Sequence, residues 1–177
     1  DHLTTAIEHG FAYAVVGAPV IVADGLTGGH ARAVPIGKKH FPEVLIAGDI
    51  LDADSMIVLS HFKAHMQSGF GGAIKNLGMG CAPPAGKREM HCARAQVAEE
   101  RCGGCGACGD VCPQAAVSLP GGTSVVDRAL CIGCGECMTV CPTGAIEFDW
   151  EVDLLPFMER MAEYAFGAVA NKRGRVG

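Results

Sequence analysis

The chain is expected to be an α/β protein, with a partial, parallel or mixed sheet covered by helices, interrupted by a smaller α+β unit. Three observations lead there. Short apolar runs alternate with helical periodicity through residues 1–94. One cysteine phrase then occurs twice within residues 95–149, and an amphipathic stretch over residues 150–177 returns to the first unit. With 177 residues, 49% of them hydrophobic, and 25 glycines, the composition fits a buried core with tight loops rather than disorder.

Residues 3–15 place Leu3, Ala6, Ile7, Gly10, Phe11 and Ala14 at helical steps, and the helix should end at Gly17. Residues 19–23 are a continuous apolar run closed by Asp24, the pattern of a strand buried on both faces. Glu43–Ala47 and residues 55–60 look alike. Strands joined by short crossovers predict a parallel or mixed sheet. Ligands on such sheets gather past the carboxyl ends of the strands, which points to residues 24–30 and 61–81.

The repeated phrase is Cys102-Gly-Gly-Cys105-Gly-Ala-Cys108-Gly-Asp-Val-Cys112-Pro113. It returns 29 residues on as Cys131-Ile-Gly-Cys134-Gly-Glu-Cys137-Met-Thr-Val-Cys141-Pro142. C-x2-C-x2-C-x3-C-P is the bacterial ferredoxin spacing, and two copies predict two [4Fe–4S] clusters. Three cysteines two apart wrap one cube, while the fourth, before Pro, starts a helix that carries its thiolate to the other. Cys102, Cys105, Cys108 and Cys141 are therefore assigned to one cluster, and Cys131, Cys134, Cys137 and Cys112 to the second. Zinc sites use four thiolates per metal without the third step or the trailing Pro, and disulfide frameworks belong to secreted mini-proteins.

Each half is expected to run cluster loop, short helix, strand, with Pro120-Gly121-Gly122 turning the chain before residues 123–127. Two halves make an inserted ferredoxin-like module of βαββαβ-like form. Ile132 follows the first cysteine of the second loop where Gly103 holds that place in the first. The first cube should thus be less covered, which separates the two potentials. Beyond the module, Asp153 can cap a helix running to Asn171, with Leu154, Leu155, Met158, Met161, Ala162, Ala165, Phe166 and Val169 as its apolar stripe.

The formal charge of −5 is uneven. Residues 1–94 and 151–177 balance, whereas Glu99, Glu100, Asp110, Asp127, Glu136, Glu147 and Asp149 face only Arg101 and Arg128. That surface repels nucleic acid and suits a basic redox partner protein, a solvated acidic face being the plain alternative. No apolar run approaches a membrane span, and the ten cysteines with metal spacing imply a reducing, cytoplasmic compartment and an anaerobic setting. The start at Asp1 and the basic tail lead us to expect a piece of a longer protein.

Residues 60–92 concentrate reactive side chains after an apolar run. His61 and His65, four apart, would share a helix face as a metal pair, with His91, Cys81 or Asp24 as a third ligand; ordinary loop-fixing histidines are the alternative. Lys63 and Lys75, with the glycines of residues 69–72, form a candidate site for a small anionic substrate, plain turn glycines being the alternative. The glycine pattern matches neither nucleotide motif. Cys81 is a candidate reactive thiol, and Cys92 a weaker one.

The phrases Ser60-His61-Phe62-Lys63-Ala64-His65, the run from Gly69 through Ile74-Lys75-Asn76 to Cys81, Gly86-Lys87 and Met90-His91 resemble a family of uncharacterised iron–sulfur-center proteins. Asp24-Gly25-Leu26 and Ala53-Asp54 also match, and Ala64 stands where members often have Gly. The resemblance implies an α/β domain of unknown function carrying an inserted two-cluster module, and no particular reaction. The expected activity is electron transfer through two [4Fe–4S] clusters to or from a site of His61, Lys63, His65, Lys75 and Cys81. Its enzymatic form is a ferredoxin-linked reductase. The rival is a non-catalytic metal-handling or redox-sensing protein with structural clusters.

Overall fold

A computed structural model of the chain describes residues 2–65, 68–91, 94–148 and 154–172. They form a mixed α/β fold whose strands pair as four two-stranded antiparallel sheets. The parallel or mixed sheet expected from sequence is therefore not what forms. The single helix expected over residues 3–15 is two short ones, α1 (His2–Glu8) and α2 (Tyr13–Val16), parted around Gly10 at φ +88°. Gly17 does end α2, its N–H returning to the Tyr13 carbonyl. Neither helix buries a residue.

Residues 19–23 and 55–60 are not strands, although Met56 makes an isolated bridge; Ile21 is 65% and Leu59 91% exposed. A strand exists only where a neighbour takes its backbone hydrogen bonds, and among the described residues none runs along either segment. Glu43–Ala47 does find a partner. It is β2, antiparallel to β1 (Ala31–Pro35), with Ala31 opposite Ala47 and Pro35 opposite Glu43. The chain continues through α3 (Gly48–Asp52), the hairpin of β3 (Lys63–His65) and β4 (Gly69–Gly71), and two eight-residue helices, α4 (Ala73–Gly80) and α5 (Pro84–His91).

The middle segment supplies β5 (Ala95–Val97), α6 (Ala107–Asp110), β6 (Val117–Ser118), β7 (Val125–Val126), α7 (Glu136–Thr139) and β8 (Ile146–Phe148). A shift of 29 positions maps its two halves onto each other in three dimensions as well as in sequence. The pair Val97–Ile146 of β5 and β8 becomes Val126–Val117 of β7 and β6, and Gln96–Glu147 becomes Val125–Ser118. The bond from Ala98 N–H to Ala145 O (2.8 Å) becomes Asp127 N–H to Ala116 O (2.7 Å). Each half thus pairs its first strand with the last strand of the other. Ala95, Ala116, Ile146 and Phe148 pack with Cys108, Cys131 and Cys137 into one small core.

The last helix, α8 (Leu154–Val169), packs on β2, α4 and α5 in the second core. Its buried side is Phe157, Met161, Tyr164, Ala165 and Ala168. Of the stripe read from the sequence, Met161 and Ala165 are buried, whereas Leu155, Met158, Ala162 and Phe166 are exposed, so the covered face lies a fraction of a turn away. Two aromatic rings, Phe157 and Tyr164, fix the rotation because each is fully covered. Asp153, proposed as its cap, lies outside the described residues. Glu159 and Glu163, four apart on α8, take the β1–β2 connection: Glu159 meets Lys39 Nζ (2.7 Å) and His40 Nε2 (2.6 Å), and Glu163 accepts the Phe41 N–H (3.0 Å). Among the described residues no helix is long and apolar enough to cross a membrane.

Candidate functional site

The eight phrase cysteines line two separate spaces. Cys112, Cys131, Cys134 and Cys137 surround one, walled by Ala95, Val126, Ile132 and Phe148. Cys102, Cys105, Cys108 and Cys141 surround another, walled by Gly103, Ser124, Thr143 and Ile146. The fourth cysteine of each run has crossed to the partner loop. Left-handed glycines at matched offsets, Gly106 (φ +78°) and Gly135 (φ +87°), turn each loop inward just before its third thiol. Among the described residues no three of these sulfurs fall within 4.8 Å of one another. Four thiolates about 2.3 Å from a single zinc would sit about 3.8 Å apart.

Backbone and hydroxyl donors point at the sulfurs. Cys112 Sγ accepts the Ala116 N–H (3.3 Å), and Cys141 Sγ its repeat mate, the Ala145 N–H (3.2 Å). Ser124 gives its N–H to Cys102 Sγ (3.5 Å) and sets its hydroxyl 3.2 Å from Cys108 Sγ. Burial alone would raise the Cys141 thiol, but Thr143 and three backbone N–H groups outweigh it and bring it down to about 7. At the other ring, burial followed by the charges of Cys134, Cys131, Cys112 and Cys108 pushes Cys137 up to about 11. The two rings therefore stabilise negative charge unequally.

His61, Lys63, His65, Lys75 and Cys81, the five candidates of the first unit, line one cleft. His61 and His65 are not on a helix. Lys63 and His65 lie two apart in β3, so extended rather than helical periodicity puts them on one side. Lys75 rises from α4 over Gly71, the residue paired with Lys63, where a Cβ would stand 3.2 Å from Lys75 Cδ. Burial, then the charge of Lys63, pushes Lys75 down to about 8. Burial and both lysines hold His65 below its ordinary value. Cys81 is buried, which raises its thiol, and Lys172 and Lys87 only partly oppose this.

The cleft continues onto the second cysteine loop. Lys63, His65, Lys75 and His91 share a space with Gly133, Cys134, Gly135 and Glu136. His91 Nδ1 bonds the Ile132 carbonyl (2.7 Å), and the rings of His65 and His91 both stack near Phe157, with centroids 6.3 and 5.8 Å away. Sequence reasoning named His91 only as a metal ligand and missed this tie, since its partner lies 41 residues on. The proposed metal set is not assembled: among the described residues, the histidine, cysteine and carboxylate groups close enough to share one ion are His30, Asp49 and Asp52, all exposed. That trio was not foreseen, and Arg32 already pairs with Asp52. Asp24 does not line the cleft, and Cys92 lies outside the described residues.

Comparison with curated proteins gave no match. A family profile covers residues 1–172 and with them both thiol rings and the cleft, so the chain belongs to the family described as "Domain of unknown function (DUF362)".

Proposed function

We propose that this chain is an iron–sulfur electron-transfer protein holding two [4Fe–4S] clusters, one on Cys102, Cys105, Cys108 and Cys141 and one on Cys131, Cys134, Cys137 and Cys112. Residues 95–149 then form a ferredoxin-like module between residues 1–94 and 150–177. The carrying observation is the pair of four-thiol rings with crossed fourth ligands, too widely spaced for a single zinc ion each. A bound cluster of this kind takes up and gives back single electrons. The protein's own part is to supply thiolates, point N–H and O–H donors at them, and keep the second ring under apolar cover.

Cys134 belongs both to that second ring and to the cleft of Lys63, Lys75 and His65. This shared wall supports relay to a reacting molecule over a purely structural or sensing role. The enzymatic form of the proposal is an oxidoreductase fed by a partner protein at the exposed acidic surface of Glu99, Glu100 and Asp110. The test is oxygen-free iron and labile-sulfide analysis with electron paramagnetic resonance of the reduced protein. About eight atoms of each are expected. Cys112→Ser should remove the cluster whose other ligands are at positions 131, 134 and 137 and spare its neighbour. Zinc, or loss of the 102–108 cluster instead, rejects the assignment.

A further inference from the structure

We infer that the cleft beside Cys134 binds a small oxyanion, a carboxylate or a phosphate, between the ammonium groups of Lys63 and Lys75. Four observations carry it. Both lysines line the same open space, one from β3 and one from α4, and the charge of Lys63 adds to burial in lowering the Lys75 pKa. Among the described residues neither is within ion-pair distance of a carboxylate. Among the described residues Glu136 is the one acidic side chain on the walls, although the chain as a whole carries −5. Gly71 leaves the room that lets Lys75 lie toward Lys63.

Two cations on one wall, neither ion-paired among the described residues, raise the energy of the empty site. An anion between them removes that repulsion and takes a charge-assisted hydrogen bond from each. Met79 and Met138 add apolar wall, so a small organic acid or phosphate ester suits the space better than a bare ion. The anion would rest against the loop that holds the second cluster. Binding itself does not depend on the electron-transfer reading, but the fate of the bound molecule does, since only a cluster there makes it a redox substrate.

The experiment titrates the intact, cluster-loaded protein with inorganic phosphate and with malonate by calorimetry under nitrogen. One or both should bind. Lys63→Gln and Lys75→Gln should each weaken binding about tenfold or more. Lys75→Arg, which keeps the charge, should retain it, and iron content should be unchanged throughout. Binding of phosphate alone assigns a phosphate ester, and of malonate alone a carboxylic acid. If neither anion binds, or both glutamine variants bind like the parent, the inference is overturned. Clusters present without anion binding reject this site alone, whereas anion binding by protein shown to hold no iron rejects the electron-transfer reading alone.

Discussion

Position 124 is serine where its repeat mate, position 95, is alanine, and position 143 is threonine where its mate is Gln114. Both hydroxyls face the ring of Cys102, Cys105, Cys108 and Cys141. Donors on ligand sulfur favour the more negative, reduced form of a cluster, so on the proposed electron-transfer reading a cluster held here should have the higher potential. Ser124→Ala should lower it by about 40 mV, the equivalent of about 1 kcal/mol of hydrogen bonding in a one-electron couple. Ala95→Ser should raise the other. Redox titration reads both, and two coincident waves unaffected by either change would refute the account. Lys75 permits a second prediction. Its ammonium is the anion-binding form, and with its pKa pushed down to about 8 that form is nearly complete at pH 7 and lost as pH rises through 8. Lys63, His61, His65, His91 and Glu136 also line the cleft, and His65, held low, is already neutral there. Phosphate or malonate affinity should therefore fall between pH 7 and 9, with the fall centred above pH 8 once the bound anion stabilises the ammonium. A flat profile would contradict it.

The elements that matter most are those that let α8 sit close. A Cβ on Gly78 of α4 would stand 2.7 Å from the Met161 carbonyl oxygen, and one on Gly86 of α5 would stand 2.8 Å from the Tyr164 ring. Gly78→Ala should cost about 1–3 kcal/mol through overpacking, seen as a lower thermal midpoint with iron content per folded molecule unchanged. An unchanged midpoint would mean that α8 shifts freely. The helical character of α8 was legible from its periodicity, and Glu43–Ala47 was legible as a strand. The face of α8 was legible only in part: Met161 and Ala165 are buried as read, but Leu155, Met158 and Phe166 satisfy helical periodicity as well as the buried Phe157 and Tyr164 do. Residues 19–23 and 55–60 are as apolar as β2, yet a strand needs a neighbour's edge and local composition carries no record of one. His61 and His65 were matched to a helix for the same reason: a four-residue interval fits one helical turn and two extended steps equally well.

Across the whole molecule, residues 95–148 fold as two interlocked halves, while the flanking segments build a second core around α8. The acidic side chains Glu99, Glu100, Asp110, Asp127, Glu136 and Glu147 are all exposed, as the charge pattern anticipated, although Arg101 pairs with Glu147. The eight cysteines line two spaces in the four-and-four sets that their spacing suggests, because the intervals between thiols set which loop can close on which neighbour. Likewise the repeat, the turn at Pro120–Gly122 and the charge imbalance are properties of neighbouring residues, visible without coordinates. The cleft is of another kind. It joins a β3 lysine, an α4 lysine, an α5 histidine and a cysteine loop more than 40 residues further along, and those distances close only when α8 draws the first unit together and His91 bonds Ile132. Contacts between segments far apart in the chain depend on which apolar faces cover one another, and that competition is resolved by packing, not by any single stretch of sequence.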